Sequence, residues 1–160
     1  MIFLTVGTQF PFDRLVHAVD NIIGEGLISE TVFGQIGENS CRPGNFEAVP
    51  IMEKADFDKH IREASAIIGH AGIGTITMAL NNKKPLLALP RLKKYGEVVN
   101  DHQVGIARRF SELGHILTAN DVEDLPDGIR RLRDFVPKQR RPAPNAVADR
   151  IRCFLNGCER

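Results

Sequence analysis

The sequence predicts an α/β protein built on one doubly wound parallel sheet with helices on both faces, in a single domain spanning residues 1–160. Two observations carry this. The runs Ile2–Val6, Ala66–Gly69 and Leu86–Leu89 are apolar almost throughout, as strands covered on both faces are. Between the strand runs lie stretches with helical spacing, and strand–helix alternation is the pattern of parallel sheets joined by crossovers. At 160 residues the chain is long enough for a substantial core and short enough for one domain.

The elements follow in order. Ile2–Val6 is the first strand and Gly7–Phe12 a loop. Phe12, Leu15, Val16, Val19, Ile22 and Ile23 then recur at helical spacing. Thr31–Ile36 alternates as a second strand, and Phe46–Ile51 is a third. Ala55–Ala64 is helical, with Phe57, Ile61 and Ala64 turned inward. The strand Ala66–Gly69 leads into a helix from about Gly72 to Asn81, which Pro85 prevents from continuing. Leu86–Leu89 is the next strand, closed by Pro90. Gln103–Leu113 is helical and Gly114 stops it; His115–Thr118 is a short strand. Asp121–Phe135 forms a helix with Asp121 near its cap, and Asn145–Leu155 a last one. There is no internal repeat and no low-complexity tract.

Composition narrows the class. A net charge of +1 gives no bulk electrostatic drive toward nucleic acid, and one Tyr with no Trp supplies few base-stacking platforms. Cys41, Cys153 and Cys158 are odd in number and lack paired ligand spacing, which fits free thiols in a reducing cytosol. Met1 runs straight into the first strand without a basic region or cleavage site, so this start reads as a strand and not a signal peptide. No apolar run approaches membrane-spanning length.

The most informative segment is Ile67–Thr77, a buried strand, a glycine-rich turn and a helix start within eleven residues. Gly69, Gly72 and Gly74 permit a tight bend and a close ligand approach. Thr75 and Thr77 sit where the following helix exposes its first unpaired N–H groups, and such bare amides attract anions, phosphate above all. The order Gly-x-x-Gly-x-Gly is not the dinucleotide fingerprint, since Thr77 stands where a further glycine belongs, and no Lys-Ser or Lys-Thr pair makes it a Walker loop. A plain βα turn competes with the diphosphate cradle.

In doubly wound sheets ligands sit at the carboxyl ends of strands, near the reversal of strand order. Three loops there carry unusual chemistry. Gly7-Thr8-Gln9 suits a phosphate or sugar contact; the alternative is a helix cap by Thr8 or Asp13. The second is His70–Thr75. The third, Arg91–Gln103, is basic and can neutralise a diphosphate, act as a mobile lid, or be a solvated loop. At its end Asp101 and Gln103 can hold sugar hydroxyls, while Asn100 or Asp101 can cap the next helix.

His70 and His102 are candidate bases, although packing or hydrogen-bonding roles compete. Asp56-Phe57-Asp58 has a metal-binding look, but it opens a helix, where acids favour the dipole; no metal is expected. The tail holds Arg130, Arg131, Arg133, Lys138, Arg140, Arg141, Arg150 and Arg152, a cationic face for anionic lipid or an acidic partner, or simply a solvated one.

With these residues assembled, the chain resembles the nucleotide-sugar-binding half of family 28-type glycosyltransferases, a Rossmann-like lobe of the GT-B fold. The likeness is to short, separate-subunit members: the cytosolic subunit of a two-part UDP-N-acetylglucosamine transferase, and small subunits of bacterial exopolysaccharide glycosyltransferases. "MIFLTVGTQFPFDRL" looks like the family's opening, with Gly7-Thr8-Gln9 in its first donor loop. "GHAGIGTITMAL" is similar to the diphosphate turn and helix, and "PRLKKYGEVVNDHQ" to the loop of the exopolysaccharide branch. The likeness covers Met1 to about Thr118.

That resemblance implies an inverting, metal-independent hexosyl transfer, without a cofactor, from a UDP-sugar to a lipid-linked acceptor. Amides around Gly72, Ile73, Gly74 and Thr75 would hold the diphosphate; Thr8 and Gln9 would flank it; Asp101 and Gln103 would contact the donor sugar. One departure stands out: many relatives place a Glu on the glycine-rich helix to bind the ribose, and this chain has Met78 there. The resemblance further implies a membrane-anchored partner bringing the acceptor lobe, with residues 142–160 as a docking segment, and a cytoplasmic protein recruited to the inner membrane face. The competing possibilities are a non-catalytic scaffold or regulatory subunit that keeps the fold, and an epimerase lobe.

Overall fold

The computed structural model describes residues 1–37, 41–139 and 144–156, with residues 144–147 by their backbone alone. Arg140, Arg141, Cys158 and both ends of the expected docking segment (142, 143 and 157–160) lie outside the described residues.

Six strands form: β1 (Ile2–Thr5), β2 (Val32–Gln35), β3 (Glu47–Val49), β4 (Ala66–His70), β5 (Leu86–Leu89) and β6 (Leu117–Thr118). All pairings are parallel, in the order β3-β2-β1-β4-β5-β6. The helices are α1 (Asp13–Gly24), α2 (Lys54–Glu63), α3 (Ile73–Asn81), α4 (His102–Glu112), α5 (Leu125–Leu132) and α6 (Pro144–Leu155). The expected doubly wound sheet is the fold. The wings diverge at β1, which pairs with β2 on one side and β4 on the other, so the crevice of such a sheet opens over the carboxyl ends of β1 and β4.

The apolar runs account for the core. Phe3, Leu4, Ile67, Ile68, Leu87 and Leu89 are wholly removed from water, each stabilising the fold by roughly 1.5–3 kcal/mol relative to an exposed side chain. Successive strand residues point to opposite faces and so feed two cores. Leu4, Ile68 and Leu87 join Leu15, Val16, Val19, Leu125 and Ile129, which places α1 and α5 on one face. Phe3, Ile67 and Ala88 join Ile61, Ile76, Ala79 and Ala107, which places α2, α3 and α4 on the other.

The departures from expectation are local. β3 and β6 are shorter than the runs Phe46–Ile51 and His115–Thr118, and both are edge strands with one partner. The helix expected over Asp121–Phe135 begins as a 3-10 turn, Val122–Asp124, held by a reciprocal capping box between Asp121 and Asp124, and becomes α-helical only over α5. No helix is capped by the side chain of Thr8, Asp13 or Asp101: the Asp13 carboxylate accepts from the Cys41 N–H instead, α1 starts at the buried Phe12 without a side-chain cap, and α4 starts at Asp101 with the His102 N–H donated to Asn100 Oδ1. Ile151, Phe154 and Leu155 of α6 are exposed. No helix among the described residues is long and apolar enough to cross a membrane.

Candidate functional site

The register sets the floor of the crevice. Thr5 lies opposite Gln35 on β2 and opposite Gly69 on β4, so one row at the carboxyl edge carries a hydroxyl, an amide and no side chain. Thr5 and Gln35 are buried and satisfy each other: the Thr5 Oγ1–H donates to Gln35 Oε1 at 3.0 Å. The Gln35 Nε2 donates to the carbonyls of Gly7 (3.2 Å) and Pro50 (2.8 Å), fixing the loops that leave β1 and β3. Sequence inspection missed both residues; the available signal was a polar side chain at the carboxyl end of an otherwise apolar strand.

Above this floor opens a cleft of about 720 Å³. It gathers Gly7, Thr8 and Gln9 from the first loop, His70, Gly72, Ile73, Gly74 and Thr75 from the second, and Arg91, His102 and Gln103 from the third. All three loops singled out from the sequence therefore meet at one place. Asp101 does not join them: it is not among the lining residues, and its Oδ1 accepts from the Lys93 N–H at 2.7 Å.

At the centre is the tip of α3. Its N-cap is Gly72, with no side-chain cap, and the first intrahelical bond runs from the Ile76 N–H to the Gly72 carbonyl. The amides of Ile73, Gly74 and Thr75 are thereby left without an acceptor among the described residues, at the positive end of a nine-residue helix. The glycines turn out to serve different ends. A Cβ on Gly72 would sit 2.3 Å from His70 Nε2, so its smallness makes room for the protein's own imidazole. Gly7, at φ +76°, leaves room on the same ring, where a Cβ would lie 2.8 Å from Cε1. Gly69 lets β4 pass the Thr5 carbonyl. Of these four, only at Gly74 would a Cβ meet nothing within 4 Å; that is the open approach to the amides.

His70 is lodged between these glycines with Nδ1 3.4 Å from Thr75 Oγ1. Burial, and secondarily the charge of Arg91, push it down to about 4, so it is a neutral imidazole at neutral pH. Its proton is held near 6.5 in the unfolded chain and near 4 in the folded one, so between those values the unfolded state binds more protons and stability rises with pH. That contribution is complete above about 6.5 and lost as pH falls toward 4. We expect the unfolding free energy of the wild-type protein to drop between about pH 7.5 and 4.5 by roughly 2 kcal/mol more than that of His70→Gln. Equal losses in urea titrations of the two proteins would contradict this.

Arg91 is 3% exposed. Its guanidinium donates to the carbonyls of Val6 (2.7 Å) and Phe10 and stacks 5.0 Å from the Phe12 ring centroid. Its Nε is buried without a partner among the described residues. Burial lowers its pKa to about 10, which still leaves it charged at neutral pH. Instead of reaching out from a solvated loop, it bolts the first loop to the end of β5 and places a cation beneath the cleft. The Arg91 N–H in turn donates to Gln103 Oε1 (3.1 Å), which leaves the Gln103 amide N–H groups for a ligand.

The rest of the third loop is fastened to the body at several points. Arg14 of α1 donates to both Glu97 oxygens (2.9 and 3.0 Å), to Asp121 (3.0 Å) and to the Pro90 carbonyl (2.9 Å). It also lies over the Tyr95 ring, 4.7 Å from its centroid. Glu97 further accepts from the Leu92 N–H. His102 reaches the cleft edge, with Nδ1 engaged by Asn100 Oδ1. Among the described residues no three His, Cys, Asp or Glu side chains cluster as a metal site.

A doubly wound parallel sheet with its cleft at the switch point is the architecture of one lobe of a GT-B glycosyltransferase, and solved structures of that class superpose on it. MurG of Acinetobacter baumannii does so with a TM-score of 0.66 at 19% identity, over 96% of this chain and 49% of that one. The solution structure of ALG13 does so at 0.59 and 20%, over 94% and 93%. At these identities the likeness concerns the fold. Residues 1–152 match the glycosyltransferase family 28 C-terminal domain, and the chain belongs to that family. It is also similar to the UDP-N-acetylglucosamine transferase subunit ALG13 of Eremothecium gossypii, 36% identical over 69 residues, covering 42% of this chain and 32% of that one. To the human protein of the same name it is 29% identical over 124 residues, covering 72% and 10%. The matched segments thus span a third or less of these two relatives.

Proposed function

We propose that this chain is the donor-binding lobe of a UDP-sugar-dependent inverting glycosyltransferase. One observation supports it above the others: three amides at the tip of α3, unpartnered among the described residues, line a cleft that is open at Gly74 and has a buried guanidinium beneath it. Such a site attracts a diphosphate in the ground state. It also stabilises the charge that accumulates on the departing UDP, with dipoles already oriented before the bond breaks. Thr8 and Gln9 flank the diphosphate, and Gln103 offers its free amide to the donor sugar. The names of the ALG13 relatives, each a subunit of a UDP-N-acetylglucosamine transferase, agree with this assignment.

A general base near pH 7 is not supplied by His70, which is held at about 4. The base and the lipid-linked acceptor come from a membrane-anchored partner subunit, which recruits this cytoplasmic chain to the inner membrane face. The exposed Ile151, Phe154 and Leu155 of α6 suit docking to it. The charge stabilisation needs neither metal nor cofactor. The resemblance of Pro90–Gln103 to the loop of the exopolysaccharide branch is the ground for polysaccharide biosynthesis as the setting.

Titrating UDP into the labelled protein at up to about millimolar concentration should give saturable shifts at Ile73, Gly74 and Thr75; silence there would remove the proposal. A non-catalytic scaffold is the second reading, favoured by Met78, whose thioether replaces a ribose-binding carboxylate. Activity of a reconstituted complex that survives substitution of Gly74 and Gln103 would select it.

A further inference from the structure

We propose that Asp58 selects ribonucleotides in this cleft, its carboxylate accepting hydrogen bonds from the two hydroxyls of a nucleoside diphosphate's ribose. This rests on the nucleotide-binding reading above and adds the group that recognises the nucleotide's own sugar.

The cleft has two chemically distinct parts. One is the α3 tip with its free amides and the Arg91 cation. The other is apolar, formed by Ile51 and Met52 after β3, Phe57 on α2 and Met78 on α3. In a nucleotide whose diphosphate lies on the tip, the planar base suits the apolar part, and the ribose, which joins base to phosphate, lies between the two. A vicinal diol is gripped best by paired acceptors, and an ionised carboxylate supplies two oxygens with no donor to satisfy. α3 presents Met78 to the cleft, and a thioether is a poor acceptor. Among the described residues, Asp58 is the only carboxylate that lines the cleft.

Its setting suits the task. Phe57, its neighbour on α2, packs against the second core and so anchors this stretch of helix. Lys54, one turn earlier, holds the Asp58 Oδ2 at 2.7 Å and lines the cleft beside it. The two side chains are 86% and 41% exposed. An exposed pair of this kind is weak, so the carboxylate is steered by Lys54 yet free to turn to a ligand.

The test measures affinities of UDP, 2′-deoxy-UDP and inorganic pyrophosphate for the full chain, for Asp58→Asn and for Lys54→Met. The wild-type protein should bind UDP about tenfold more tightly than 2′-deoxy-UDP; Asp58→Asn should narrow this to within about twofold, while Lys54→Met keeps most of it. Pyrophosphate affinity should be the same in all three. A preference that persists in Asp58→Asn, or UDP bound at the α3 tip with no ribose preference in the wild type, overturns this inference alone. Failure of both UDP and pyrophosphate to perturb Gly72–Thr75 overturns it together with the donor-binding reading.

Discussion

Gly72→Ala is expected to weaken UDP binding by tenfold or more and to destabilise the fold by about 1–3 kcal/mol. The added Cβ would fall 2.3 Å from Nε2 and 2.7 Å from Cδ2 of His70, closer than any real contact. The ring has no retreat, because its other side already occupies the space that Gly7 leaves. It must swing into the cleft, where it covers the α3 amides. The comparison that isolates this cause is the same substitution in a His70→Ala background. With the imidazole gone, Gly72→Ala should change UDP affinity by less than about twofold. If calorimetry finds the same loss in both backgrounds, steric eviction of His70 is not the mechanism.

Breaking the Arg14 cluster should have the largest effect on stability. The Arg14 and Glu97 side chains are 14% and 9% exposed, so each loses most of its water and depends on the other. Removing Arg14 strands the Glu97 carboxylate, and removing Glu97 leaves Arg14 with only the more exposed Asp121 as a charged partner. For fully buried pairs that costs about 3–5 kcal/mol, and partial exposure lowers the figure here to about 2–3 kcal/mol. At this chain length the melting temperature should fall by about 5–10 °C for Arg14→Met or Glu97→Gln. Replacing both together with Met and Leu should recover part of the loss, because no buried charge is then left unpaired; Asp121, 37% exposed, keeps water and Lys94. A double variant as unstable as the sum of the singles, measured in urea, would show that the partners act independently.

Nearly every element was legible because each depends on local pattern. Ala66–Ile68 and Leu86–Leu89 are apolar whichever neighbour they meet, and Pro85 or Gly114 ends a helix in any context. The capping residues were less legible. Asp13 and Asp101 have the right chemistry for helix starts, but the fold brings the Cys41 and Lys93 amides to them, and those contacts win. In the site, convergence of three loops followed from the order of strands. The separate duties of Gly69, Gly72 and Gly74 did not, because they depend on which atom arrives from elsewhere: a Thr5 carbonyl, a His70 ring or nothing. Arg91 shows the same limit. Its sequence neighbours make a basic surface loop, whereas its guanidinium is committed to carbonyls 85 and 81 residues away.

That commitment has a consequence for ligand capture. Arg91 joins the first loop to the fifth strand, Gln103 joins that strand to the following helix, and Gln35 secures the first loop from beneath. The receptacle is thus assembled during folding, and a nucleotide arriving there gives up its own freedom without also having to organise the walls that receive it.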